Sequence, residues 1–167
     1  MVSWGIESRL IKIPFSLISM PLVQAVKRAK RVFLCGNGGS AANAVHIAND
    51  WISVGIKAQA LTADVATLTA IANDFGYENV FSRQLEVLAE RGDLLVILSG
   101  SGNSKNILKA LETAKKKGIK SWAIVGGGRA LQCSDRHILT ESNMQSSEEE
   151  QLRIGHGVMW WLKRHQA

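Results

Sequence analysis

The chain has 167 residues, of which 46% are apolar, and it carries a formal net charge of +6. These values fit one globular domain and exclude a disordered chain. Its longest apolar runs, such as residues 94–98, are too short to cross a bilayer, which excludes a membrane-spanning protein.

The predicted elements alternate between apolar runs and helical patterns, as βαβ units do. In the first half of the chain we predict a helical arm over 1–30 broken at Pro14 and Pro21, a strand over 31–35, a turn over 36–40, a helix over 41–52, a strand over 58–61, a helix over 67–72 and a break over 73–76. This half therefore contains two predicted strands, with a helix between them and further helical segments before and after.

The second half continues the alternation. We predict a helix over 77–90, a strand over 94–98, a turn over 99–104, a helix ending near Lys117, strands over 121–125 and 137–139, and a last helix to Arg164. Ser146 or Ser147 is the expected cap of the last helix, with glutamates 148–150 in its first turn. The whole pattern indicates one α/β domain over residues 1–167 with a parallel sheet.

Charge and cysteine usage narrow the class of protein further. The basic residues are scattered or lie near predicted helix ends, without interleaved aromatic residues, so nucleic acid is not an expected partner. The first residues lack the features of a signal peptide, so we expect a cytoplasmic protein. Cys35 and Cys133 are therefore expected to be reduced thiols.

Two turns are rich in glycine and serine, and each follows a strand and precedes a helix. We call residues 36–40 (Gly-Asn-Gly-Gly-Ser) the glycine loop and residues 99–104 (Ser-Gly-Ser-Gly-Asn-Ser) the serine loop. Amide groups at a helix start point outward and favour an anion, and serine hydroxyls add donors. On neighbouring parallel strands the loops would converge on one phosphate at the carboxyl edge of the sheet.

Other interpretations of these loops stay open. Glycine-rich turns also occur for geometry alone. Neither loop is a Walker loop, because no Gly-Lys-Ser/Thr ends it, and neither has the glycine spacing of the dinucleotide pattern.

Candidate groups for chemistry lie on two predicted helices. His46 and Asp50 are four residues apart, so they share one helix face. His156 lies eight residues after Glu148 and seven after Glu149, near one face of the last helix. Two histidines and two carboxylates suit zinc. The same residues are also compatible with helix capping and packing.

Three blocks of sequence are similar to the sugar isomerase (SIS) family, and within it to the bacterial phosphoheptose isomerases. They are Cys35–Ala42, the stretch Asn73–Glu78 with Phe81–Gln84, and Ser99–Ser104. The resemblance implies a three-layer, flavodoxin-like fold with a five-stranded parallel sheet. It also implies a homotetramer with active sites at subunit interfaces.

The resemblance further implies the isomerisation of sedoheptulose 7-phosphate, or a related ketose phosphate, to an aldose heptose 7-phosphate, towards lipopolysaccharide. By motif match, the expected substrate-binding residues are Asn37, Gly38, Ser40, Asp64, Asn73, Asp74, Ser99, Gly100, Ser101 and Ser104. The expected zinc ligands are His46, Asp50, Glu148 and His156, with Asp50 as general base and His156 as acid.

Several positions depart from the family pattern. Asp50 stands where the family has glutamate, Glu148 where it has glutamine, and Gly100 where it usually has threonine. A shorter base changes proton-transfer geometry, and Glu148 adds a negative charge beside the expected metal. These departures leave an alternative function open: a non-catalytic SIS protein that binds the replication initiator or senses a phosphosugar.

Overall fold

A computed structural model of the chain describes residues 20–165. Five parallel strands form one sheet in the order β2-β1-β3-β4-β5. Their bounds are β1 Val32–Cys35, β2 Ala58–Ala60, β3 Leu94–Ser99, β4 Lys120–Val125 and β5 Arg136–Leu139. The predicted fold class, a five-stranded parallel sheet flanked by helices, is confirmed.

Seven α-helices lie within residues 20–165, together with one 3-10 turn at Tyr77–Asn79. The helices are α1 Met20–Arg28, α2 Gly39–Ser53, α3 Val65–Phe75, α4 Ser82–Leu88, α5 Lys105–Lys117, α6 Ala130–Cys133 and α7 Met144–Arg164. Of the predicted arm over 1–30, residues 1–19 lie outside the described part of the chain, and Leu22, Val23 and Val26 of α1 are buried in the core.

Strands β1 and β3 are buried along their whole length, because helices cover both faces of the sheet. Alternate residues face opposite layers. Val32 and Leu34 join a core with α1, α2 and α7, whereas Phe33 and Cys35 join a second core with α4, α5 and α6. The molecule therefore has three layers, and α2 and α7 lie on the same side of the sheet.

Two predicted boundaries between residues 64 and 90 are wrong. Helix α3 continues through Asn73 and Asp74 and ends only at Gly76, which has a φ of 86° that favours glycine. Residues 77–90 do not form one helix. The 3-10 turn comes first and α4 begins at Ser82, because Val80 and Phe81 are buried against the sheet between them.

The start of the last helix also differs from the prediction. Asn143 caps α7 by accepting a hydrogen bond from the Ser146 amide at 2.9 Å, so neither Ser146 nor Ser147 is the cap. The glutamates 148–150 consequently fall in the second turn rather than the first. Ser147 is buried, with its hydroxyl 2.6 Å from that of Thr140.

Both cysteines are free thiols, as predicted. Cys35 is buried in the second core, and desolvation raises the pKa of its thiol far above the ordinary value. Cys133, at the end of α6, is exposed. Among residues 20–165, no helix has the length and apolar character that a membrane crossing requires.

Candidate active site

The glycine loop and the serine loop lie at the point where the strand order reverses. Strands β1 and β3 are paired neighbours, whereas β2 adds on the far side of β1. Ligands of open α/β sheets bind at such a reversal, beyond the carboxyl ends of the strands. The two predicted turns are therefore side by side at the edge where this class of fold binds ligands.

The serine loop uses its own hydroxyls as hydrogen-bond acceptors. Ser99 Oγ accepts from the Gly102 amide at 3.1 Å, and Ser101 Oγ accepts from the Asn103 amide at 3.3 Å. Each hydroxyl retains one proton to donate. Within the described structure, the Ser104 side chain makes no hydrogen bond to the first turn of α5, although Ser104 is its cap residue. The loop thus presents hydroxyl donors at a helix start.

The segment Gly126–Gly128, which follows β4, holds the serine loop in place. The Gly126 amide donates to the Gly100 carbonyl at 3.1 Å, and the Ala130 amide donates to the Gly102 carbonyl at 2.9 Å. Gly102 has a φ of +60°, and a Cβ there would overlap the carbonyl oxygen of Gly127. The two loops approach backbone to backbone, which side chains would prevent.

Gly100, which replaces the family's usual threonine, is packed against the Met144 side chain. A Cβ at position 100 would overlap the Met144 sulfur, because Met144, the first residue of α7, lies over the loop. The loss of one hydroxyl donor at position 100 therefore coincides with an apolar side chain packed on the same spot.

The glycine loop is held by side chains. Asn37 and Asn106 exchange two hydrogen bonds through their carboxamides, at 2.9 and 2.8 Å, and the Tyr77 hydroxyl donates to Asn37 Oδ1 at 3.0 Å. Gly38 has a φ of 56° at the start of α2, and Ser40 is buried in the first turn. Asn37 is thus fixed by residues from two other segments.

Helices α2 and α7 run parallel and in register along the same side of the sheet. Asn43 Nδ2 donates to the Glu148 carbonyl at 2.8 Å and to Gln151 Oε1 at 3.3 Å. One turn further, a Cβ on Gly155 would overlap Ile47. Trp51 Nε1 donates to the Gly155 carbonyl at 3.0 Å. This register brings the second half of α2 against the second half of α7.

The register brings together His46, Asp50 and His156, which we call the histidine cluster. The two Nε2 atoms are 3.0 Å apart, and Asp50 Oδ2 lies 3.4 Å from His46 Nε2 and 3.2 Å from His156 Nε2. His46 is 51% exposed at its side chain and Asp50 only 19%. Three ligand atoms thus converge at a partly open surface.

The histidine cluster offers donor atoms of the kind that metal ions such as zinc bind. Ligands of a tetrahedral zinc site at about 2.0–2.2 Å from the ion lie roughly 3.3–3.6 Å from one another. The observed separation of 3.4 Å falls in this range, and those of 3.0 and 3.2 Å are slightly shorter. Without an ion, the contact between the two Nε2 atoms requires one of them to carry a proton and donate to the other. The cluster could therefore hold a metal.

Glu148 does not join this cluster. Within the described residues, the ligand atoms that lie within 4.8 Å of one another belong to His46, Asp50 and His156, and not to Glu148. Its carboxylate lies instead against Gly39, at the start of α2, where a Cβ would overlap it. The assignment of Glu148 as a fourth metal ligand stays a prediction.

The three other predicted sugar contacts lie on α3. Asp64 caps this helix, accepting from the Ala66 and Thr67 amides at 3.0 and 3.2 Å and from the Thr67 hydroxyl. The Thr67 side-chain hydrogen bond, followed by that from its amide, lowers the pKa of Asp64. Asn73 donates to Asp74 at 2.8 Å, and both are exposed. Within residues 20–165, no hydrogen bond or ion pair joins these three side chains to the two loops.

Sequence reasoning missed Tyr77, Asn106 and the role of the segment Gly126–Gly128. A signal existed for Asn106: it precedes Ala110 by four residues and so falls on the apolar face of α5. A polar residue on a buried face needs a partner. For Tyr77 the signal was its place in the block Asn73–Glu78 that resembles the family, although no role was assigned to it.

Comparison with known proteins identifies relatives of this chain. The SIS domain family model matches residues 16–126. A phosphoheptose isomerase of Nitratiruptor sp. is 43% identical over 147 residues, covering 83% of this chain and 79% of that protein.

Solved structures give the same result. The phosphoheptose isomerase of Neisseria gonorrhoeae is 30% identical with a TM-score of 0.77, and that of Francisella tularensis is 28% identical with a TM-score of 0.78. Each match covers 90% of this chain, and 83% and 84% respectively of those chains. The chain therefore belongs to the SIS domain family and, within it, to the phosphoheptose isomerases.

Proposed function

We propose that the chain is an aldose–ketose isomerase that converts sedoheptulose 7-phosphate, or a related ketose phosphate, to an aldose heptose 7-phosphate through an enediol. The observation that carries the proposal is the convergence of His46, Asp50 and His156 in a member of the phosphoheptose isomerases. Relatives named as isomerases favour this enzyme over a non-catalytic protein that binds an initiator or senses a sugar.

In the proposal, the two loops hold the phosphate and the adjoining end of the sugar. The residues assigned to this are Ser99, Gly100 through its amide, Ser101, Ser104, Asn37, Gly38 and Ser40. The starts of α2 and α5 add the favourable end of a helix dipole. Asp64, Asn73 and Asp74 are assigned to support of the sugar from α3.

The proton transfers fall to Asp50 and His156. The Asp50 carboxylate removes the proton from the hydroxymethyl carbon next to the ketone, while His156 donates a proton to the ketone oxygen, which gives the enediol. Asp50 then returns a proton to the former carbonyl carbon, and His156 takes the proton from the C1 hydroxyl of the enediol, whose oxygen becomes that of the aldehyde. Asp50 Oδ2 faces both histidines, so Oδ1 is the oxygen that we assign as base.

His46, Asp50 and His156 would hold zinc, with Glu148 proposed as a further ligand. A bound zinc ion supplies polarisation of the carbonyl group. When no metal is bound, His46 and His156 orient the Asp50 carboxylate, since both Nε2 atoms lie within 3.4 Å of its Oδ2.

We further propose a cytoplasmic homotetramer, with active sites at its subunit interfaces, that serves lipopolysaccharide synthesis.

The test is turnover of sedoheptulose 7-phosphate followed by NMR, with and without added zinc. We expect the anomeric proton signals of an aldose to appear. If neither this ketose phosphate nor others are converted under either condition, the proposed function is wrong.

Two variants make the turnover experiment specific. Ser101→Asp places a negative charge in the serine loop and should abolish measurable binding of the phosphate. Thr69→Ala removes a hydroxyl on α3 that bonds only its own helix, and it should behave as the wild type. Equal activity of both variants would contradict the role given to the serine loop.

A further inference from the structure

Asn37 and Asn106 form a reciprocal pair across 69 residues of sequence. Asn37 lies in the glycine loop after β1, and Asn106 lies in the first turn of α5, just beyond the serine loop. Each carboxamide donates once to the other and accepts once from it, at 2.9 and 2.8 Å. Asn106 is 2% exposed, so its polar atoms must be satisfied within the protein.

The orientation of this pair is fixed by the backbone. Asn106 Oδ1 accepts from the Ile107 amide at 2.9 Å. An amide N–H can face only an acceptor, so the oxygen of Asn106 must lie on that side and its nitrogen on the other. The Asn106 nitrogen then requires the oxygen of Asn37 opposite it. One backbone amide therefore determines which way both carboxamides point.

Tyr77 reinforces the same orientation from a third segment. Its hydroxyl donates to Asn37 Oδ1 at 3.0 Å. Asn37 Oδ1 thus accepts from both Asn106 and Tyr77, which uses its two acceptor positions. The remaining polar hydrogen of the carboxamide is the second N–H of Asn37, on a half-buried side chain at the loop edge.

We propose that Asn106, assisted by Tyr77, is a positioning residue that fixes the Asn37 carboxamide with an N–H directed at the bound sugar phosphate. The inference rests on the proposed function, since it assigns how one substrate-binding residue of that site is oriented. It also links the two loops, because Asn37 belongs to one and Asn106 to the helix that follows the other.

A double-mutant cycle with Asn37→Ala and Asn106→Leu tests the proposal. Because the Asn37 donor serves binding, Asn106→Leu alone should raise KM about tenfold with little change in kcat. In the Asn37→Ala background the same substitution should change KM by less than about twofold. Independent, multiplying effects of the two substitutions would overturn the proposal.

A second variant protects the test against misfolding of Asn106→Leu. Tyr77→Phe removes one hydroxyl from a side chain that is 58% exposed, and it should raise KM about three- to fivefold without lowering the melting temperature. Thr113→Val, which removes a buried hydroxyl elsewhere on α5, is the matched control and should leave KM unchanged. An unchanged KM in Tyr77→Phe would also overturn the proposal.

The outcomes separate this inference from the proposed function. A wild-type chain that converts no ketose phosphate refutes the function itself. A wild-type chain that does so, with an unchanged KM in Tyr77→Phe and independent effects in the cycle, refutes only the positioning role. If a variant keeps the wild-type KM and loses kcat only in proportion to the folded protein that is lost, the substituted residue has a structural role. That result also contradicts the proposal.

Discussion

The serine loop and the histidine cluster are held by different means. Backbone hydrogen bonds from Gly126 and Ala130 fix the serine loop, and its conformation depends on glycines that admit close approach. The histidine cluster depends on the register between α2 and α7, which side chains such as Trp51 and Asn43 set. The loop therefore depends on close backbone contacts that only glycine permits, whereas the cluster depends on side-chain packing between two helices.

The largest effect is expected from the histidine cluster. His156→Ala should lower kcat by about 10²- to 10⁴-fold, since it removes the proposed acid. It should also reduce the zinc retained per chain, measured by mass spectrometry after dialysis. His137→Ala, on an exposed position of β5, is the control and should keep both values. Retention of more than a tenth of kcat by His156→Ala would contradict the assignment.

Two glycines with similar φ values separate backbone strain from close packing. Gly38 has a φ of +56° and open space where a Cβ would lie, whereas a Cβ at Gly102 would overlap the Gly127 carbonyl. Alanine should cost about 1–3 kcal/mol of strain at either position. The overlap should cost Gly102→Ala a further ~1 kcal/mol or more.

Urea unfolding of the two glycine variants measures this difference in the free energy of unfolding. The serine-loop variant should also lose affinity for the sugar phosphate. Equal destabilisation of Gly38→Ala and Gly102→Ala would show that the segment Gly126–Gly128 does not hold the loop.

A smaller effect is expected at the glycine loop. The Glu148 carboxylate lies against Gly39 at the start of α2, close to the proposed phosphate position. Glu148→Gln should lower KM about threefold by removing a negative charge near a helix N-terminus that binds an anion, while the glutamine oxygen can still serve as the proposed metal ligand. The gain should shrink at high salt. Glu149→Gln, an exposed neighbour, is the control, and the same KM change in both variants would contradict a local effect.

The smallest effect concerns Asp64, which caps α3 and lies outside the serine loop and the histidine cluster. Its hydrogen bonds with Thr67 lower the pKa of the carboxyl below its ordinary value. A depressed pKa in the folded state means that the carboxylate stabilises the fold above the unfolded pKa of about 3.9, and that this contribution is lost as pH falls through the folded pKa.

Asp64→Ala should therefore unfold at lower urea than the wild type at pH 7, with a smaller difference near pH 3. Asp74→Ala, at the other end of the same helix, should not be destabilised, because an acidic group there does not favour the helix dipole. A difference between Asp64→Ala and wild type that stays constant with pH would rule out the titration of Asp64 as its cause.

Most of the sheet and both loops could be predicted from sequence, because a short run of consecutive residues specifies each strand and each loop. The apolar run at Leu94–Leu98 and the glycine and serine turns need no knowledge of the rest of the chain. Helix boundaries were less predictable. Gly76 and Asn143 decide where α3 ends and α7 begins through local hydrogen bonds that compete with other plausible caps.

The histidine cluster was only half predictable. Helical periodicity places His46 and Asp50 on one face, but no pattern within α2 specifies that His156, 110 residues from His46, comes to lie beside them. Residue spacing made His156 a candidate on the last helix, but only the resemblance to a family joined the two helices in one site. The Glu148 side chain at Gly39 could not be foreseen, because it depends on the register of two helices and on the cap at Asn143.

The contrast between the two thiols makes the chain convenient to label. Cys35 is buried, with a pKa that keeps it protonated, while Cys133 is exposed at the end of the short helix that follows the segment holding the serine loop. An alkylating fluorophore should react with Cys133 and spare Cys35 in the native protein. A dye at that position would report occupancy of the loop without any cysteine having to be removed.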